Sequence, residues 1–359
     1  MSRLQDIVRN EDIEIVEKTL KNPFDKTYWF ARMLIQSDRY GGIGTKNSTM
    51  VQSSKIISEM CTRKNTDIET TKQAVFNFLI DSRRQGTKAK EEAKRLCIDL
   101  DSMITDWNDL LIFGLTMKHI IVPISLMLNE IPSSDFEIAK PIALAYLDKF
   151  GEKGLRDVIE IWDDLGMKGC ISVERVQVVE GLGILREILK KKDFVRHQED
   201  MDHIITTFVQ EFERRAGQKR KGRGGRSLED VTGFILQYFG ITDVELVPEH
   251  IRASLEVDKM VECSDGWHIA ISCKRTFRER WKQSFTENMN TLDENKIKGI
   301  WHLITYDRDL SENKIIEMGK HRCTIYLPDN SSILDKNEVK QHVRPMSSFI
   351  VDIQKEKGQ

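Results

Sequence analysis

Asp258 is carried by an alternating, β-branched run (residues 255–263), and Lys274 closes a second one that begins at Trp267. Asp265-Gly266 between them is a strong short-range hairpin signal. Downstream, a helix expected over 276–290 carries Arg278, Glu279, Arg280 and Glu287. An acid and an amine at one end of a hairpin, with more charge on the next helix, suit the hydrolysis of a phosphodiester. That reaction needs oxygen ligands for one or two hard cations, here Mg²⁺, which orient a water and offset charge growing on phosphate. Asp258 is the candidate metal ligand. Lys274 is placed to hold the attacking water or the transition-state oxygens.

Register tests this arrangement. A two-residue loop at 265–266 pairs residues whose numbers sum to 531, setting Asp258 and Lys274 on opposite faces of the sheet. A three-residue loop or a bulge makes the sum even and brings both to one face. The expectation is therefore a three-residue loop or a bulge.

Arg278-Glu279-Arg280 is a compact set for reading G·C pairs, since arginine forks onto guanine O6/N7 and glutamate accepts from cytosine N4. Upstream, residues 214–226 hold seven basic side chains among thirteen, interleaved with four glycines. Arg220, Lys221, Arg223 and Arg226 are the candidates for contact with the DNA backbone, where Lys and Arg supply most sequence-independent affinity. The competing account of this run is a solvated linker. It leads into Ser227, a good N-cap, and a helix expected over 228–239 with Glu229 in its first turn.

Taken together, Ser272-Cys273-Lys274-Arg275-Thr276-Phe277-Arg278-Glu279-Arg280-Trp281 resembles the S-x-K-x-x-x-R-E-R-W signature of type II restriction endonucleases of the CCGG family, the SsoII/EcoRII-like branch of the PD-(D/E)XK nucleases. In this branch the second acid is displaced onto the following helix. Here too Ser272 stands two before Lys274, and Glu287 lies thirteen after it. The resemblance implies that Asp258 and Glu287 bind Mg²⁺ and that Glu229 is an auxiliary acid. It also makes Gln218, eleven residues before Glu229, a minor-groove reader. Val257 replaces the proline of the family motif. The resemblance covers about residues 214–328 and is most specific over 273–281; nothing familiar is seen in the first 190 residues.

The chain that must position these groups has 359 residues, enough for a substantial core and two domains. It is 40% hydrophobic and 31% charged, as globular proteins are. A net charge of −2 excludes a broadly basic, non-specific DNA binder, so affinity for nucleic acid must come from a local patch. No apolar run is judged long enough for a transmembrane helix, and the N-terminus lacks the apolar core of a signal peptide. Six scattered cysteines (61, 97, 170, 263, 273 and 323), without a CxxC pair, fit free thiols in a reducing cytoplasm, which the resemblance implies is prokaryotic.

Residues 4–192 carry helical periodicity, with helices expected at 4–21, 26–39, 49–63, 68–84, 87–96, 101–111, 135–150, 155–165 and 172–192. Breaks are expected at Asn22-Pro23, 40–44, 131–134 and 166–169. The most apolar stretch, 111–128, reads as a buried helix or a hinge that Pro123 kinks or splits, with His119 a core histidine. A helix at 197–215 and one at 228–239 precede strands at 244–247, 255–263, 267–273, 299–306 and 323–327, a helix at 311–320, and a last helix at 337–354 interrupted by Pro345. The expected fold is α/β: a restriction-endonuclease-like mixed five-stranded sheet flanked by helices, behind a large all-helical N-terminal region. Domains are expected at 1–193 (dimerisation, DNA wrapping or flank reading) and 194–359 (catalysis and recognition).

The expected activity is Mg²⁺-dependent cleavage of double-stranded DNA by a homodimer at a palindrome with a CC…GG core, the family resemblance implying a cut 5′ of the cytosines. Two-fold symmetry in the protein would mirror that of the target. Two other readings share the residues: a structure-selective or modification-dependent repair nuclease, and a DNA-binding protein on a decayed nuclease fold.

Overall fold

The computed structural model describes residues 22–358 except 64–65, 133, 135, 243, 246, 249–250, 252–254, 256, 278–280 and 286–288. The helix expected at 4–21 and the residues Arg278, Glu279, Arg280 and Glu287 lie outside the described residues. The chain forms two compact units: residues 1–131 with 172–219, and residues 132–171 with 220–359. The boundary expected at 193/194 falls inside the first unit.

Among its described residues the first unit is all helical. It contains α1 (Lys26–Ile35), α2 (Asn47–Thr62), α3 (Ile68–Asp81), α4 (Lys88–Met103), α5 (Trp107–Leu115) and α6 (Val122–Glu130). Buried Phe30, Leu34, Met50, Ile57, Leu79, Leu96, Leu100 and Phe113 form the interior, with the Phe30 and Phe113 rings edge to face at 5.1 Å. Asp67 and Asp106 cap α3 and α5 by accepting from Thr70 N and Asp109 N.

Pro123 does not split the apolar stretch. A π-helical turn, Thr116–Ile121, joins α5 to α6, and the proline falls in the first turn of α6. The π turn just before it carries the helix past a residue that has no backbone N–H to give. The result is an unbroken helical run, Trp107–Glu130, of 24 residues, long and apolar enough by length and composition to cross a membrane, with 61% of its apolar window buried inside the protein. The expectation that no apolar run reaches that length does not hold for this stretch.

Helix α7 (Phe136–Phe150) follows, then two long helices, α8 (Leu155–Leu189, 35 residues) and α9 (Gln198–Tyr238, 41 residues). Breaks expected at 166–169 and through 216–227 are absent. Glycine inside a helix costs only about 1 kcal/mol relative to alanine, and neither stretch contains a proline. In α9 the basic side chains add anchors: Arg215 Nη2 donates to Ser125 Oγ at 2.8 Å, and Lys219 Nζ donates to Leu128 O. Leu128 lies in the last turn of α6, where exposed carbonyls favour a cation.

The second unit is built on a six-stranded mixed sheet in the order β1 (Val244–Glu245), β2 (Lys259–Glu262), β3 (His268–Lys274), β4 (Ile297–Ile304), β5 (Cys323–Leu327), β6 (Val343–Pro345). β1, β2 and β3 pair antiparallel, and β3 to β6 pair parallel. Helices α10 (Met289–Glu294) and α11 (Glu312–Lys320) make the crossovers that parallel strands need. The five expected strands are present, with a sixth, short one at the edge. Residues 343–345 were expected in a helix; Pro345, which has no N–H to give a ladder, ends that edge strand instead, and α12 (Phe349–Lys357) follows it.

Alternation along the strands sends side chains to two cores. Val261, Ile269, Ile271, Cys273, Leu303 and Tyr326 pack with Trp162 of α8, Phe234 of α9 and Phe349 of α12. Met260, Ala270, Ile300, Ile304 and Ile325 pack with Ile315 and Met318 of α11, Phe277 and Phe285. This is the mixed sheet flanked by helices that the resemblance implies.

Candidate functional site

The hairpin determines what the site can be. β2 and β3 pair Lys259 with Ile271, Met260 with Ala270, Val261 with Ile269 and Glu262 with His268, so paired numbers sum to 530. Cys263 N donates to Trp267 O at 2.7 Å, which leaves Ser264, Asp265 and Gly266 as a three-residue loop. Gly266 N closes a turn on Cys263 O at 3.0 Å, and Gly266 has φ +76°, the left-handed residue that such loops use. Asp265 Oδ1 accepts from Trp267 N at 3.1 Å. The expected odd loop is therefore present. Its register gives Ser272 and Lys274 the parity of Met260 and Ala270; Asp258 lies outside the paired residues, and Val257 beside it packs in the same core as Met260, so the alternation is interrupted between them.

Asp258 lies just before β2. Its backbone N donates to Ile271 O at 2.8 Å, and its Oδ2 accepts from Cys273 N at 2.7 Å. The carboxylate is thus held by the backbone of the residue preceding Lys274. Lys274 is half-buried at the C-terminal end of β3, with Nζ 6.0 Å from the centre of the Phe277 ring. Ser272 is fully buried and paired in register with His302. Burial, with the Asp258 charge second, pushes the Cys273 thiol up to about 12.

Glu229 is half-buried on α9, where its Oε1 lies 3.8 Å from Lys259 Nζ. Lys259 pairs with Ile271, so Glu229 engages the residue next to Asp258 on the side of the sheet that α9 covers. Thr232 on the same helix shares a hydrogen bond with the Cys273 thiol.

The basic run is helical rather than a loop, and its side chains diverge. Gln218, Lys221 and Arg226 are exposed and Arg220 is half-buried. Arg223, expected to meet DNA, is only 6% exposed and donates from Nη1 to Pro132 O at 3.0 Å. Helical periodicity turns this one position inward, where it serves the interior of the unit.

Beyond β3, only 289–290 of the helix expected over 276–290 are α-helical among the described residues. Residues 275–277 are neither helix nor strand, a 3₁₀ turn covers Trp281–Ser284, and α10 begins at Met289. Arg275 makes an ion pair with Asp163 of α8, and its carbonyl accepts from Tyr306 N at 2.9 Å. Asp163 carries no sequence signal, being one of two adjacent acids in an amphipathic helix.

Among the described residues no group of three or more His, Cys, Asp or Glu gathers as a cage. Asp258 offers a hard carboxylate oxygen, and Mg²⁺ commonly takes one or two carboxylates and keeps several waters. The donor type present therefore fits the ion.

No family model and no curated protein matches the sequence. Among solved structures the chain is similar to one described as a restriction endonuclease PspGI–substrate DNA complex, at 16% identity and TM-score 0.43, covering 66% of this chain and 93% of that one.

Proposed function

We propose that this chain is a Mg²⁺-dependent type II restriction endonuclease that cuts double-stranded DNA as a homodimer, at a palindrome with a CC…GG core and 5′ of the cytosines. The observation that carries the reading is the bond from Cys273 N to Asp258 Oδ2, which sets the acid beside the residue preceding Lys274. It supports a shared site for Asp258 and Lys274 at one end of the sheet. The motif running from Ser272 to Trp281 supplies the rest.

In this reading Asp258 and Glu287 hold the ion, and Glu229 assists as a nearby acid. Bound Mg²⁺ lowers the pKa of a coordinated water and offsets charge developing on the phosphate. Lys274 steadies the scissile phosphate or the water that attacks it, presenting its amine where charge develops. Arg278, Glu279 and Arg280 read the C·G pairs in the major groove, and Gln218 the minor groove. Lys221 and Arg226, with Arg220, follow the phosphates.

The test is digestion of a phage genome with the purified chain and Mg²⁺, followed by sequencing of the ends. Discrete ends sharing a CC…GG core, with 5′ overhangs, are expected. Random ends, or intact DNA over a range of Mg²⁺ concentrations, would overturn the proposal.

A further inference from the structure

Three consecutive residues connect Lys274 to the R-E-R motif, and each is tied to a different part of the second unit. Arg275 pairs with Asp163 on α8. Thr276 Oγ1 donates to Asp309 Oδ2 at 2.8 Å, in the loop after β4. The Phe277 carbonyl accepts from Lys314 Nζ at 3.1 Å, and the same amine donates to Asp309 O at 2.9 Å. Phe277 itself is 2% exposed, with its ring edge-on to His302 at 5.0 Å.

These bonds fall where secondary structure offers the backbone no ladder, since 275–277 are neither helix nor strand. Here Tyr306 N satisfies the Arg275 carbonyl and the Lys314 side chain the Phe277 carbonyl, while the Arg275 and Thr276 side chains fix the path. Lys314 is also an unusual choice for its place. It sits in the first turn of α11, beside Ser311, which caps that helix by accepting from Lys314 N. The helix dipole disfavours a cation there. Two carbonyl acceptors, Phe277 O on the segment leaving β3 and Asp309 O in the loop after β4, give the amine a reason to be at this position.

We infer that Asp309 and Lys314 are positioning residues for target selectivity: they fix the path of 275–277 and so set how the base-reading motif is presented relative to Lys274. The inference rests on the proposed nuclease reading. Bidentate contacts to a base edge demand close alignment, so a displaced path blunts discrimination before it stops hydrolysis.

The test compares wild type with Thr276→Val, Lys314→Met and Lys314→Arg. Single-turnover cleavage is measured on the site found by end sequencing and on sites with one base pair changed. Thr276→Val and Lys314→Met are expected to lower the ratio of cognate to altered-site cleavage by about fivefold or more. Cognate cleavage should change less than about threefold, and Lys314→Arg should keep most of the ratio. Should Lys314→Met fail to fold by its melting profile, the near-isosteric Thr276→Val decides. An unchanged ratio in variants of an active wild type overturns this inference alone, as does a uniform fall in rate on every DNA. A wild type that cuts nothing overturns the nuclease reading and this inference with it.

Discussion

Asp258 Oδ2 accepts the Cys273 N–H at 2.7 Å, so the acid before β2 is held by the backbone of the residue just ahead of Lys274. The bond spans fifteen residues of sequence and depends on the three-residue loop at 264–266. It places a negative charge beside a thiol that is only 3% exposed. The burial and this charge together push Cys273 up to about 12. At pH 8 its thiolate fraction is then roughly one in ten thousand, and the thiolate is the reactive form. Iodoacetamide should label exposed Cys61 in the native chain and leave Cys273 untouched until denaturant is added. Labelling of native Cys273 at a rate comparable with Cys61, read by peptide mass spectrometry, would contradict this environment.

Lys274→Ala should reduce cleavage of supercoiled plasmid by at least roughly 10²–10³-fold, the loss typical of removing one preorganised charge-stabilising donor. Specific binding in a gel-shift assay with Ca²⁺ should persist. A variant retaining full cleavage would remove Lys274 from the chemistry.

Two kinds of basic residue on α9 should separate cleanly. Arg223→Ala leaves the Pro132 carbonyl without its 3.0 Å donor and should destabilise the protein by about 1–3 kcal/mol, seen as a lower Tm. Lys221→Ala and Arg226→Ala, both exposed, should leave Tm nearly unchanged. Each should instead weaken DNA binding on all sequences and reduce the salt slope by about 1. Equal behaviour of all three would show that the inward turn of Arg223 has no consequence.

Asp109 makes acid stability of the first unit testable. Burial pushes its carboxyl up, but hydrogen bonds from Lys26, at 2.7 Å, and from Thr105 outweigh this and hold it below the ordinary value. A carboxyl lowered by folding contributes stability that is complete above its unfolded pKa of about 3.9 and is lost as pH falls through the folded value. Tm should therefore drop as pH is lowered below about 5, and Asp109→Asn should lower Tm at pH 7 while flattening that dependence. Parallel curves for the two proteins would count against the assignment.

The sequence by itself determined the local pieces. Strand alternation, Asp-Gly turn chemistry, capping residues and 3.6-residue periodicity are near-neighbour properties, and they gave the hairpin, five strands of the sheet and most short helices; the odd loop was expected only because a shared site for Asp258 and Lys274 required it. The same near-neighbour view broke α8 and α9 at glycines that the folded chain carries straight through, because packing and anchored cations along a helix outweigh a propensity cost of about 1 kcal/mol per glycine. Only the tertiary structure decided which charges face inward. Arg223 turns in to Pro132, Glu229 reaches Lys259, and Asp309 and Lys314 bind the segment leaving β3. None of this is legible in a sequence, because a charged residue in an amphipathic pattern looks the same whether it meets water or a distant carbonyl. That choice is made by long-range contacts, which exist only once the sheet and its helices have closed around them.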